Sequence, residues 1–129
     1  MTTELMCLLA IAMLLLALAA VSGTLYGAQT GPAMLLGNRE KALPAIGAAG
    51  RAARAHLNLL ENAVPFAIVV LIAHQLALST DLSRGAAVVF VIARLVHATA
   101  YLLGIPYIRT LAWSVGMGAT CAMAALIAV

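Results

Sequence analysis

Charge is what this sequence has least of. Asp, Glu, Lys and Arg make up 9% of its 129 residues, against about 25% in soluble domains. With 65% hydrophobic residues, the chain has far more apolar surface than a soluble core can absorb, which excludes an ordinary soluble domain. The formal net charge is +3, and the basic residues stand singly among apolar segments, so nothing provides the phosphate-neutralising surface a nucleic acid needs. Cysteine is also scarce. Cys7 and Cys121 both fall inside apolar segments, and no Cys-x-x-Cys or Cys/His cluster exists. This excludes a disulfide framework, and no metal site is expected. No Ser/His/Asp arrangement suggests a nucleophilic triad. The first apolar segment has no ionisable residue in its middle, which counts against a small multidrug transporter.

What is present is apolar sequence in lengths that suit a bilayer, where a crossing takes roughly 20 residues. The reading is an all-α membrane protein, a single domain over 1–129 with spans at about 5–26, 51–78, 85–103 and 107–128. One small bundle buries little surface, so self-association is expected. Met-Thr-Thr-Glu offers no positive n-region, so the first segment reads as a retained span rather than a signal peptide. The connection 27–50 carries Gly31-Pro32, Gly37-Asn38 and Pro44, the punctuation of turns, around Arg39, Glu40 and Lys41. It is read either as a wall over a site or as a loop lying on the membrane surface. A helix over 51–78 would be about 42 Å long, more than the ~30 Å hydrocarbon core, so its first turns project into headgroups or line a polar cavity. Asp81 or Ser83 is the expected cap of the third span. Basic residues gather at the 27–54 connection and at Arg109, which by the positive-inside rule puts that side in the cytoplasm and both termini opposite. Ser114, Gly118 and Ala122 form a small-residue ridge of the kind that suits an oligomer seam.

Polar residues inside these spans are the informative ones, because ionisable groups at membrane depth must face a partner, a cavity or a ligand. Arg51, Arg54, Asn58, Glu61 and Pro65 are spaced by three, four, three and four, which on a helix is one stripe. Arg94, His97 and Tyr101 form a second stripe. In the fourth span, Arg109 and Trp113 are neighbours, as are Thr110 and Ser114. An arginine within a span costs about 2.5–3.5 kcal/mol on insertion scales. Glu61 is the acidic residue at comparable depth, so a Glu61–Arg94 ion pair is expected, either as a brace or as part of a site. Arg109 reads either as a snorkelling interfacial cation or as a site residue. His56 lies off the stripe. The polar ends of the last three spans fall at one depth on one side. Guanidiniums, one carboxylate, amides and hydroxyls suit a ligand with carboxylates and an amine. A guanidinium beside a thiol favours its thiolate.

The run Arg51-x-x-Arg54-x-His56-x-Asn58-x-x-Glu61, followed by Pro65-Phe66, resembles the second-helix motif of the MAPEG family (membrane-associated proteins in eicosanoid and glutathione metabolism). The likeness extends to Arg94-x-x-His97-x-x-x-Tyr101 and Arg109-Thr110, and the chain resembles a bacterial-type member. The resemblance implies a four-helix protomer in a homotrimer, with glutathione as co-substrate held between protomers. Arg54, Asn58, Glu61 and Tyr101 would contact it, Arg94 would pair with Glu61, and Arg109 would activate the thiol. Arg51, Arg94, His97, Thr110 and Trp113 complete the candidate cofactor-binding set. The implied activity is transfer of glutathione to lipophilic electrophiles or reduction of lipid hydroperoxides, in an inner membrane with the site on the cytoplasmic side. The alternative is a non-catalytic protein that keeps the scaffold for ligand binding or for assembly with other membrane proteins. The chain departs from many members at Gly50, Leu57 and Trp113.

Overall fold

The computed structural model describes residues 1–38 and 42–128. Arg39, Glu40 and Lys41, in the middle of the connection, lie outside the described residues. Four long helices, α1 (Thr3–Thr30), α3 (Gly47–Gln75), α4 (Asp81–Leu103) and α5 (Pro106–Ala128), are each long and apolar enough to cross a membrane, and a short α2 (Pro32–Leu36) follows α1. No strand occurs among the described residues. The protein is an integral membrane protein in a lipid environment.

Local chemistry sets the helix ends. Thr2 caps α1, its hydroxyl accepting from the Leu5 N–H at 3.4 Å. The cap of α4 is Thr80, not the expected Asp81 or Ser83. Its hydroxyl accepts from the Ser83 N–H at 3.1 Å while the Ser83 hydroxyl accepts from the Thr80 N–H at 2.9 Å, a reciprocal capping box that meets two orphan donors at once. It draws the start of α4 four residues ahead of the expected position 85. Pro65 sits inside α3, which continues through it. The connection is stitched to the last turn of α1. Tyr26 donates to the Leu43 carbonyl at 2.8 Å, Gln29 donates to the Pro44 carbonyl at 2.9 Å, and the Ile46 N–H donates to Gln29 Oε1 at 3.1 Å.

The long helices run up and down, with α4 packed most extensively on α5 and α1 on α3. Buried alanines line the seams, among them Ala52, Ala55 and Ala63 on α3 and Ala87, Ala93 and Ala98 on α4. In lipid, helix association rests on close van der Waals packing rather than on expulsion of water, and small residues permit that approach. In the core, Phe66 of α3 stacks on Phe90 of α4, with ring centroids 3.9 Å apart and an interplanar angle of 8°. This topology brings the end of α1, the start of α3, the end of α4 and the start of α5 to one end of the bundle. The Arg51 Nε–H donating to the Leu102 carbonyl at 2.9 Å ties α3 to α4 there.

Candidate functional site

Buried positions on α3 form a face through Ala52, Ala55, Leu59, Asn62, Phe66 and Val70. At about 100° per residue, the Arg54–Asn58–Glu61–Pro65 stripe lies to one side of that face. Its near edge turns inward: Asn58 and Arg51 are half-buried. Its far edge does not, and Arg54 and Glu61 are exposed. Asn62, which the stripe omitted, is buried and donates to the Asn58 carbonyl at 2.8 Å.

Arg94 is fully buried in α4. The expected Glu61–Arg94 ion pair is absent. The ion pair found among the described residues is Arg84 with Asp81, at 2.7 Å on the surface. Depth alone matched the two residues, but their directions differ, since Glu61 points out of the chain and Arg94 points into it. The Arg94 guanidinium donates instead to neutral acceptors, the Trp113 carbonyl at 3.2 Å and Asn58 Oδ1 at 3.5 Å. Its Nε has no partner. The guanidinium carbon lies 5.1 Å from the Phe90 ring centroid. On the α5 side it rests against Gly116, where an added Cβ would lie 2.5 Å from Nη2. The missing side chain at 116 makes room for the guanidinium. Spacing and motif do not single out Gly116; its only signal in the sequence is a small residue facing a span that carries an arginine.

One turn further along α4, His97 is buried and its ring meets Tyr101 edge-on, centroids 5.5 Å apart. The Arg109 guanidinium of α5 lies over the Tyr101 ring, 4.7 Å from its centroid, within the range of a cation–π contact. Asn58, His97, Tyr101, Arg109, Thr110 and Trp113 together line a cavity of about 220 Å³. Three helices thus contribute to one polar pocket, with Arg94 behind its Asn58–Trp113 wall. Arg51 lies beside the Leu102 end of α4 rather than in the pocket, and Arg54 and Glu61 lie outside it on the exposed flank of α3. No described residue of the 31–46 connection is among the pocket's lining residues; positions 43, 44 and 46 are instead bonded to Tyr26 and Gln29 at the end of α1. No group of three or more His, Cys, Asp or Glu suited to a metal occurs among the described residues.

Gly50 has a local explanation. A Cβ there would meet the Ala45 carbonyl oxygen at 2.6 Å, so the way the connection enters α3 requires glycine. The ridge Ser114, Gly118 and Ala122 is exposed along α5.

Chemically, the pocket presents a rim guanidinium, an imidazole, a phenol, an amide and a hydroxyl, all held by helices rather than by loops. It can hold an anion and hydrogen-bond a polar, peptide-like ligand. Residues 3–129 match the model of the MAPEG family. A comparison with curated proteins finds no match. The match spans essentially the whole chain, so the protein belongs to the MAPEG family, whose membrane proteins carry out glutathione-related transferase, peroxidase or similar chemistry.

Proposed function

We propose that this protein is a membrane-bound, glutathione-dependent transferase or peroxidase acting on lipophilic electrophiles or lipid hydroperoxides. The observation that carries the reading is the convergence of Asn58, His97, Tyr101, Arg109, Thr110 and Trp113 on one cavity. Arg109 is the catalytic residue. A guanidinium next to a thiol stabilises the thiolate, which is the nucleophile. In transfer, the thiolate sulfur bonds to the electrophilic carbon as the leaving group departs with its electron pair. Asn58, His97, Tyr101, Thr110 and Trp113 position the peptide, and buried Arg94 adds fixed positive charge behind them.

Within the pocket Arg109 is the cation for a glutathione carboxylate; Arg51, Arg54 and Glu61, which lie outside it on the flank of α3, would meet the remaining carboxylate and the ammonium only with a neighbouring copy in place. Arg54 and Glu61 are exposed on the isolated chain. Charges on a spanning helix need a partner, which supports a homotrimer in which a neighbouring copy closes over the α3 flank and completes the site. The basic residues at this end support a cytoplasmic site in an inner membrane, with both termini opposite.

The test is glutathione titration of the purified protein, following ultraviolet thiolate absorbance, with conjugation of a standard electrophile measured in parallel. Arg109→Ala is expected to keep the helical content and oligomeric state while losing both signals. Unchanged turnover in that variant removes Arg109 from the mechanism. No thiolate signal and no conjugation in the wild type moves the assignment to the non-catalytic scaffold.

A further inference from the structure

At the opposite end of the bundle, a carboxylate is buried without a cation. Glu4, in the first turn of α1, is 3% exposed. Its donors are hydroxyls: Ser83 Oγ at 2.6 Å from Oε1, and Ser79 Oγ at 3.1 and 3.2 Å from Oε1 and Oε2. The Arg84 guanidinium is engaged by Asp81, and no Lys, Arg or His nitrogen of the described residues stands within ion-pair distance of Glu4. A carboxylate withdrawn from water calls for a counter-charge.

Glu4 also borders a cavity of about 250 Å³. Thr2, Ser79 and His74 supply its polar wall, and Val70, Ala73 and Leu78 its apolar wall. The space is several times that of one water, roughly 30 Å³. The lone carboxylate gives no ligand set for a divalent metal. The cavity also lies beside the C-terminal turn of α3, where the helix dipole favours positive charge. The turn at Ser79 and Thr80 joins two helices that are each long and apolar enough to span, so this end of the bundle faces a membrane surface.

We propose that this cavity binds a primary ammonium group, with Glu4 as its counter-ion, and that the ammonium is the ethanolamine headgroup of a bilayer lipid. Three N–H donors meet the Glu4 carboxylate and the Thr2 and Ser79 hydroxyls, while the apolar wall takes the adjoining methylenes. A quaternary choline headgroup has no N–H to offer and binds less tightly. This site lies at the far end of the bundle from the glutathione pocket and stands or falls independently of it.

The test is native mass spectrometry of the full chain from phosphatidylcholine nanodiscs doped with phosphatidylethanolamine of matched acyl chains, alone and with free ethanolamine as competitor. The wild type is expected to retain the ethanolamine lipid about tenfold over the choline lipid, the scale of one charge-assisted hydrogen bond. Glu4→Gln abolishes that preference. Ser79→Ala, which leaves the Thr80–Ser83 capping box intact, weakens it and carries the test if Glu4→Gln does not fold. Displacement by free ethanolamine means that the headgroup chemistry alone suffices, and selectivity without displacement assigns the site to the lipid. Equal retention of both lipids, or undiminished selectivity in Glu4→Gln and in Ser79→Ala, overturns the proposal.

Discussion

Replacing Gly116 with alanine puts the buried guanidinium to a test in which the sign of the effect is informative. In an ordinary helix interior, Gly→Ala stabilises by about 1 kcal/mol. Here the new methyl carbon would lie 2.5 Å from Arg94 Nη2, 2.9 Å from Nε and 3.0 Å from Cζ. Non-bonded heavy atoms settle at about 3.5–4.0 Å, so the guanidinium must retreat by about 1 Å. Arg94 is fully buried against Phe90, and retreat from α5 stretches its 3.2 Å bond to the Trp113 carbonyl. A hydrogen bond to a charged group contributes about 1.5–3 kcal/mol, and overpacking costs about 1–3 kcal/mol. After the helix-propensity gain, Gly116→Ala is expected to destabilise by about 1.5–5 kcal/mol. Thermal unfolding in detergent measures this, and a double-mutant cycle with Arg94→Met isolates the cause. In the Arg94→Met background the penalty should largely vanish, because a flexible thioether side chain can move aside. Gly116→Ala as stable as the wild type, or equally costly in both backgrounds, refutes the reasoning.

Phe66→Ala removes one ring of the stacked pair and is expected to cost about 3–5 kcal/mol, read as a lowered unfolding midpoint; a change within error would mean the Phe66–Phe90 stack contributes little. Thr80→Ala removes half of the capping box and should cost about 1 kcal/mol, with faster amide exchange confined to the first turn of α4. Uniform exchange along α4 would contradict a local capping role.

The spans were legible because membrane helices announce themselves by long apolar runs, and the up-and-down order follows from short connections such as the one at Ser79 and Thr80. The pocket was legible in part. Positions at three- and four-residue steps identified the stripes bearing Asn58, His97, Tyr101 and Arg109, because helical geometry fixes which residues share a face. What periodicity leaves open is how each helix is rotated about its axis against its neighbours. That rotation separates Glu61 from Arg94, although both lie at one depth, and gives Arg94 backbone and amide acceptors instead. Capping at position 80 was hidden too, because Thr80 and Ser83 satisfy each other's N–H groups and Asp81 is left to Arg84. The burial of Glu4 was equally hidden, because its partners Ser79 and Ser83 come from a distant turn.

The lodging of Arg94 against Gly116 bears on how the protein enters the bilayer. Released alone from the insertion machinery, α4 would carry a naked guanidinium into hydrocarbon, at a cost of about 2.5–3.5 kcal/mol. Its acceptor at Trp113 and its niche at Gly116 belong to α5, and only Gly104 and Ile105 separate the two helices along the chain. The adjacent span thus supplies an acceptor and a niche for that charge across a two-residue connection.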